Sequence, residues 1–346
     1  MNRQYSFSFL SLVLLLSAAF VLDIATGSIY IPPASVLAII FGKTCLNEGW
    51  RLIVFVFRLP KALCAVTAGA GLAVSGLMMQ TLFRNPLAGP SVLGITSGAS
   101  LGVALVVLGT SSFMKRTSFL SGLGIGGNVM LISASAIGAG MVLFIILLLA
   151  RYVEDVMTIL IVGILGSFAI GSVVSVLIHF SRPEMVQAYL AWTFGNFGSV
   201  TWAQLRIFIP ICVVLLLLSI PLAKPLNGLL LGEAYARSMG INHERLRLAI
   251  LVLTALMVGD ITAFCGTVGF IGIAVPHLAR AIIHTSDHRL LLPATALAGG
   301  ITALIADTVA QLPGQQAVLP LNAVTAIIGA PVIIWFILGN KSKGTR

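Results

Sequence analysis

Apolar segments long enough to cross a membrane recur along the whole chain. A helix needs about 20 predominantly apolar residues to span the hydrocarbon core of a bilayer. Ten segments of this kind follow one another, the eighth being shorter than most: 7–25, 60–82, 92–109, 124–150, 156–179, 202–222, 247–265, 270–284, 290–310 and 322–338. The pattern predicts an all-α polytopic membrane protein with about ten transmembrane helices.

The composition indicates the same class independently. Of the 346 residues, 58% are hydrophobic and only 9% are charged, and the mean hydropathy is +1.08. Such a chain has too little polar surface to cover a soluble globule, so membrane lipid is its expected surrounding. No Ser/Pro-rich linker or charged block divides it, which indicates a single transmembrane domain over residues 1–346. The formal charge of +10 forms no basic stripe with interleaved aromatic residues, so no nucleic-acid partner is predicted.

The distribution of basic residues predicts the orientation. An even number of spans places both termini on one side of the membrane. Arg3 precedes the first span, and Lys341, Lys343 and Arg346 follow the last one. Because Lys and Arg accumulate in cytoplasmic segments, we expect both termini to be cytoplasmic.

Catalytic and metal-binding patterns are missing from the sequence. Neither a GxSxG elbow nor an HExxH motif occurs, and the ten acidic residues are thinly spread. The cysteines, which stand at 45, 64, 212 and 265, show no CxxC spacing, and buried cysteines usually pack as small apolar side chains. We therefore expect no catalytic residue, metal or cofactor in this chain.

Two acidic residues, Asp260 and Asp307, fall within or beside predicted spans. A charge at the centre of a bilayer costs about 2.5–3.5 kcal/mol on insertion scales, so each residue needs an explanation. One explanation is a proton or sodium relay, which would make the protein an ion-coupled secondary transporter. The other is an interior carboxylate that accepts hydrogen bonds near a helix end.

Residues 58–99 carry the most specific pattern. A cationic turn, a helix of small apolar residues and a restart interrupted by Gly and Pro follow one another. The segment resembles the second-helix motif of the permease subunits of bacterial ABC importers for iron-siderophores, haem and cobalamin, the FecCD-like permeases. The residues that match are Arg58, Leu59, Pro60, Gly69, Leu72, Gly76, Gln80, Asn85, Pro86, Leu87, Ala88, Pro90, Leu93, Gly94, Gly98 and Ala99.

A polar amphipathic stretch at 230–241 separates two long apolar spans. It resembles the cytoplasmic coupling loop of these permeases, in which two short helices fit a groove of the ATPase subunit. The resemblance implies a coupling loop at about 224–246, and within it the polar stretch ends at Gly240, where a helix C-cap is expected. The matching residues are Gly232, Glu233, Ala234, Ala236, Arg237 and Gly240.

Further matches at 266–280 and 319–338 extend the resemblance over roughly residues 55–338. It implies the permease architecture of a type II ABC importer, working by alternating access as a homodimer in the bacterial inner membrane. The implied partners are two ATPase subunits, which would bind ATP and Mg²⁺, and a periplasmic or lipid-anchored substrate-binding protein. The cargo expected first is an iron-siderophore, with haem and cobalamin as alternatives.

The resemblance also assigns two sites. It implies a cytoplasmic gate formed by Asn85, Pro86 and Leu87, with Val156 and Met157 as the opposing lip. It implies a docking face for the binding protein at Arg58, Lys61 and Gln311, where Lys61 and Gln311 each replace an Arg of the family pattern. Asp307 falls in a motif similar to a structural one of the family, which favours the hydrogen-bonded carboxylate over the relay.

Overall fold

The computed structural model describes residues 3–43, 47–109, 125–153, 155–311 and 318–341. These residues contain α-helices and short turns of other helix types, and no strand occurs among them. The α-helices in the described ranges are α1 Arg3–Ala25, α2 Pro33–Ile40, α3 Glu48–Leu52, α4 Leu59–Leu82, α5 Ile95–Val107, α6 Ile125–Tyr152, α7 Val156–His179, α8 Pro183–Thr193, α9 Trp202–Ser219, α10 Ala223–Leu230, α11 Glu233–Ser238, α12 His243–Cys265, α13 Ile271–Ile283, α14 His288–Ala310 and α15 Leu321–Lys341.

Every predicted span contains a helix. Within the described residues, seven helical stretches are long and apolar enough to cross a membrane, and α5, α13 and α15 are shorter apolar helices. The predicted span at 92–109 starts later than expected, because a 3₁₀ turn at Pro90–Leu93 ends on Gly94, whose φ of +78° breaks the helix before α5. The span at 60–82 extends backwards through a π-helical turn, Ile53–Arg58, into α3.

Two short helices, α2 and α8, were not predicted. Each begins with a proline in its first turn, at Pro33 and Pro183. Proline is favoured at this position because its missing N–H is not needed there. With 8 and 11 residues, both helices are too short to span a bilayer and gave no membrane-length signal.

Helix α4 lies in the centre of the bundle. In the most apolar window of Glu48–Leu82, 83% of the residues are buried, against 17% in the corresponding window of α7. Helix α4 therefore packs on other helices along most of its length. Helix α7 leaves most of its apolar surface for lipid or for another chain.

Helices α4 and α14 form a tightly packed antiparallel pair. A Cβ atom at Gly69 would lie 2.3 Å from the carbonyl oxygen of Gly299, so only glycine allows this approach. Ala73 and Ala303 follow four residues later on their helices, which is the small-residue spacing that brings membrane helices together. At 1.5 Å per residue the 24 residues of α4 extend for about 36 Å. The pair thus has two distant ends.

One end is named for the ion pair found there and the other for the predicted gate turn that follows α4. The ionic end comprises the start of α4 and the end of α14, with Lys61 and Asp307. The gate end comprises the end of α4 and the start of α14, with Thr81 and His288.

Candidate functional site

The predicted coupling loop folds into the two short helices α10 and α11. Gly232 joins them with a φ of +114°, and Gly240 follows α11 with a φ of +78°; other residues rarely adopt either value. Ala236 is fully buried. The buried Ala236 and the positive φ angles give the pair a defined shape.

The outer surface of this helix pair around α11 combines apolar side chains with a cation. Leu231, Tyr235 and Met239 are exposed by 66%, 51% and 49%, and Arg237 is exposed beside them. Glu233 belongs to α11, as does Ala234, but the side chains of these two residues lie outside the described part of the chain. Exposed apolar side chains grouped on a short polar segment are typical of an interaction surface.

The predicted gate residues form an exposed turn directly after α4. The Oδ1 atom of Asn85 accepts a hydrogen bond of 2.9 Å from the backbone N–H of Leu87, an Asx turn that fixes the bend. Pro86 is exposed, and its carbonyl oxygen accepts a hydrogen bond of 2.8 Å from Nε2 of His277 on α13. Leu87 itself is 46% exposed. The turn is therefore held by its backbone while its apolar side chain projects outward.

The opposing lip is only partly as expected. Met157 at the start of α7 is 45% exposed, whereas Val156 is buried with 8% exposure and faces the chain's own interior. Asp155 caps α7 by accepting hydrogen bonds from the N–H groups of Met157 and Thr158. Of the two predicted lip residues, Met157 is the one whose side chain is available to another surface.

The predicted docking residues lie in a buried network at the ionic end. The Nζ atom of Lys61 is 2.6 Å from Oδ2 of Asp307 and 3.3 Å from Oδ1 of Asp23. Gln311 donates a hydrogen bond from its amide nitrogen to Asp307. Lys61 thus joins α4 to both α1 and α14.

Arg58 completes the attachment of α1. Its guanidinium donates to the carbonyl oxygens of Ile24 at 2.7 Å and Ala25 at 3.1 Å, and also to that of Ile29. Carbonyls in the last turn of a helix have no partner within the helix, and a cation there also suits the helix dipole. Arg58 and Lys61 are each only 7% exposed. Both cations were predicted to face a partner, and the structure uses both inside the chain; their docking role stays a prediction.

The two intramembrane carboxylates differ in their surroundings. Asp307 is occupied by Lys61 and Gln311, as the hydrogen-bonded alternative predicts. Asp260 on α12 is partly buried, and its Oδ2 atom has no hydrogen-bond partner among the described residues. The two residues therefore do not form a shared relay through described contacts.

The described cysteines are free thiols. Cys64 and Cys265 are buried with their sulfur atoms 3.3 Å apart, and Cys212 is buried as well. Cys45 lies outside the described residues. Within the described ranges, no three His, Cys, Asp or Glu side chains are grouped as metal ligands.

No sequence pattern indicates several of the residues that the structure brings into these sites. Asp23, the second partner of Lys61, sits 38 positions away in the chain. The gate end brings together Thr81, Asn227 and His288, and none of the three belongs to a sequence motif that predicts this contact. Their contacts join segments more than 60 residues apart, which short-range patterns do not report.

A polytopic bundle with membrane-length apolar helices, a central small-residue helix pair and an exposed helix-pair loop identifies an integral membrane protein. The model of the FecCD transport family matches residues 15–339, and the chain belongs to that family. It is a permease of the ABC-importer class. An ion-coupled mechanism finds no support among its relatives.

The chain is similar to the vitamin B12 import system permease protein BtuC of Klebsiella pneumoniae subsp. pneumoniae, with 35% identity over 99% of this chain and 96% of that protein. The BtuC protein of Salmonella typhimurium is 36% identical over 95% of this chain and 94% of its own length. Among solved structures, a metal-chelate type ABC transporter in an inward-facing conformation superposes with a TM-score of 0.81. It is 26% identical in sequence and covers 97% of this chain and 99% of its own.

Proposed function

We propose that the protein imports a bulky metal chelate across the bacterial inner membrane, and that cobalamin is the first cargo to test. The observation that carries this is the identity of 35–36% to vitamin B12 import permeases over nearly the whole chain. The sequence alone put an iron-siderophore first; the relatives favour cobalamin, and the siderophore and haem become the alternatives of the test.

The proposed assembly is a homodimer with two copies of a separate ATPase. Support comes from the exposed apolar helix α7, which needs lipid or another copy to cover it, and from the helix pair α10 and α11. The pair presents Leu231, Tyr235 and Met239, which suit an apolar groove, and Arg237 at the rim. ATP and Mg²⁺ belong to the ATPase in this proposal, and the permease contributes the surface that follows its closure.

The proposed gate combines Leu87 from the turn after α4 with Met157 from α7. Both are apolar and exposed, so each can seal a pore against water when it meets its counterpart in the second copy. Asn85 and Pro86 hold the turn in place. The gate, the coupling helices and both termini are placed on the cytoplasmic side.

The binding protein is proposed to dock at the ionic end, on the opposite side of the membrane. Arg58 and Lys61 support the docking face by holding α1, α4 and α14 together, since Lys61 is paired with carboxylates and Arg58 donates to backbone carbonyls. Gln311, which is partly exposed there, is the predicted docking residue nearest to solvent.

Uptake by the reconstituted system tests the proposal. Proteoliposomes carrying the permease, its ATPase and its binding protein are supplied with cyanocobalamin, haem or a ferric siderophore in separate experiments. We expect ATP-dependent accumulation of cyanocobalamin. If haem or the ferric siderophore accumulates and cyanocobalamin does not, that chelate is the cargo. Accumulation driven by an ion gradient without ATP would contradict the importer mechanism.

A further inference from the structure

A chain of side-chain hydrogen bonds links the coupling helices to the gate end. On α10, Asn227 donates from Nδ2 to Oδ1 of Asp287 at 2.6 Å, and its Oδ1 atom accepts from the backbone N–H of His288 at 2.8 Å. The ring of His288 contacts the same Oδ1 through Nδ1 at 2.8 Å. On its other side, Nε2 lies 2.8 Å from Oγ1 of Thr81 on α4.

The backbone contact fixes which atoms carry protons. Because a backbone N–H of His288 points at one terminal atom of the Asn227 amide, that atom is the oxygen and accepts. The ring nitrogen Nδ1 must therefore carry a proton to donate to the same oxygen. In the neutral ring Nε2 is then an acceptor, and the hydroxyl of Thr81 donates to it. His288 is 1% exposed and Thr81 is 3% exposed, so water does not compete for these bonds.

The hydroxyl of Thr81 has a second acceptor within reach. Its Oγ1 atom is 3.0 Å from the carbonyl oxygen of Leu77, one turn earlier in α4. A hydroxyl has one proton and can donate it fully to only one of the two. When His288 moves away, Thr81 keeps a hydrogen bond to Leu77, and its donor is not left unsatisfied. Separation of α4 from His288 therefore leaves the ring Nε2 acceptor, and not the threonine donor, without its partner.

The end of α4 continues directly into the gate. The backbone carbonyl of Gln80 accepts from the N–H of Asn85 at 3.2 Å. The side chain of Gln80 also donates to the carbonyl of Ile273 at 3.0 Å and accepts from Arg280 at 2.8 Å, both on α13. A shift of Thr81 consequently moves the residue that anchors the gate turn and its neighbour α13.

We propose that Asn227, His288 and Thr81 form a relay that transmits displacement of the coupling helices to the gate, with His288 as its positioning residue. The proposal rests on the function proposed above. It assigns the connection to three neutral side chains on α10, α14 and α4. Rigid-body movement of the whole bundle would not need them.

The test uses the isosteric variant Thr81→Val in the reconstituted complex with ATPase and binding protein. Transport of the chelate that the wild type accumulates is measured together with ATP hydrolysis. We expect the number of chelate molecules moved per ATP to fall at least tenfold while hydrolysis stays within twofold of the wild type. Thr81→Ser keeps the hydroxyl and should restore the ratio.

Thr67→Val is the matched control, because Thr67 on the same helix donates only to the carbonyl of Leu63 in the described contacts. This control should couple normally. A loss in Thr67→Val equal to that in Thr81→Val would overturn the relay, because the loss of any threonine hydroxyl on α4 would then suffice.

A double variant separates a relay from two independent structural effects. The described side-chain hydrogen bonds connect Asn227 to Thr81 through His288, so Asn227→Ala combined with Thr81→Val should lose no more coupling than either change alone. A loss equal to the product of the single losses would reject the relay. Normal coupling in Thr81→Val with an active wild type rejects the relay alone, whereas a wild-type complex without ATP-dependent uptake rejects the proposed function and the relay with it.

Discussion

The two ends of the α4 and α14 pair are held by different chemistry. At the ionic end, Lys61 lies between two carboxylates, those of Asp23 and Asp307. At the gate end, a neutral threonine meets a buried histidine. Removing one partner of a buried ion pair costs about 3–5 kcal/mol, whereas a neutral hydrogen bond contributes about 0.5–1.5 kcal/mol. The difference indicates that one end stays closed and the other can open.

The middle of the pair supports the same division. Gly69 and Gly299 bring the two backbones into contact, so the helices cannot slide without a clash there. Movement that spares this contact must be a change of angle about it. The pair can then act as a lever, whose fulcrum is the glycine contact and whose free arm is the gate end.

The largest effect is expected from Lys61→Met, which leaves two buried carboxylates without their cation. We expect a loss of about 3–5 kcal/mol of folding stability, measured by thermal or denaturant unfolding of the detergent-solubilised protein. Lys43→Met, at an exposed lysine, is the matched control and should change stability little. Equal stability of the two variants would show that the ionic end is not the firmly held one.

A smaller effect is expected from Gly76→Ala, which tests the packing of α4 against α13 on the side of the gate end. A Cβ atom at position 76 would lie 1.7 Å from the carbonyl oxygen of Gly272, so α13 must move away from α4. Overpacking of this kind costs about 1–3 kcal/mol. The control is Gly140→Ala on α6, where the added Cβ meets open space. If Gly76→Ala unfolded at the wild-type temperature, α13 would be free to shift without cost.

The smallest effect concerns an exposed charge at the gate lip. Hydrogen bonds from the Thr158 hydroxyl and then from the Met157 N–H lower the pKa of Asp155 below its ordinary value of 3.8. A lowered folded-state pKa means that the stabilisation is present above 3.8 and is lost as the pH falls through the folded value. Wild type and Asp155→Asn should therefore differ slightly and constantly above pH 5, and the difference should shrink as the pH falls below 3.8. A difference that grew between pH 5 and pH 7 would contradict this assignment.

The sequence predicted the helices well, because their signal is local. Apolar length identified all ten spans, and the family resemblance predicted the helix pair α10 and α11, which Gly232 joins and Gly240 follows. The cations at 58 and 61 were harder to interpret. The sequence pattern of a basic residue at the start of an apolar helix is the same in three cases: the residue faces lipid headgroups, a partner or a buried acid.

Long-range pairing decided between those interpretations. Asp23 and Asp307 reach Lys61 from opposite ends of the chain, and only the three-dimensional fold shows that they converge. The same limit applies to Thr81 and His288, which are 207 positions apart. Single-sequence patterns identify residues that suit a membrane, but they do not identify which of them touch.

Spin-label distances at both ends of the lever test the central claim most directly. One pair of labels is placed at the gate end, on Leu87→Cys and Met157→Cys, and another beside the ionic end, on Tyr30→Cys and Val318→Cys; all four positions are exposed. Both distances are measured within one protomer of the reconstituted complex, without nucleotide and with bound ATP. We predict that the distance between 87 and 157 changes with nucleotide while that between 30 and 318 stays constant. A constant gate-end distance in a complex that transports, or a larger change at the ionic end, would contradict the account.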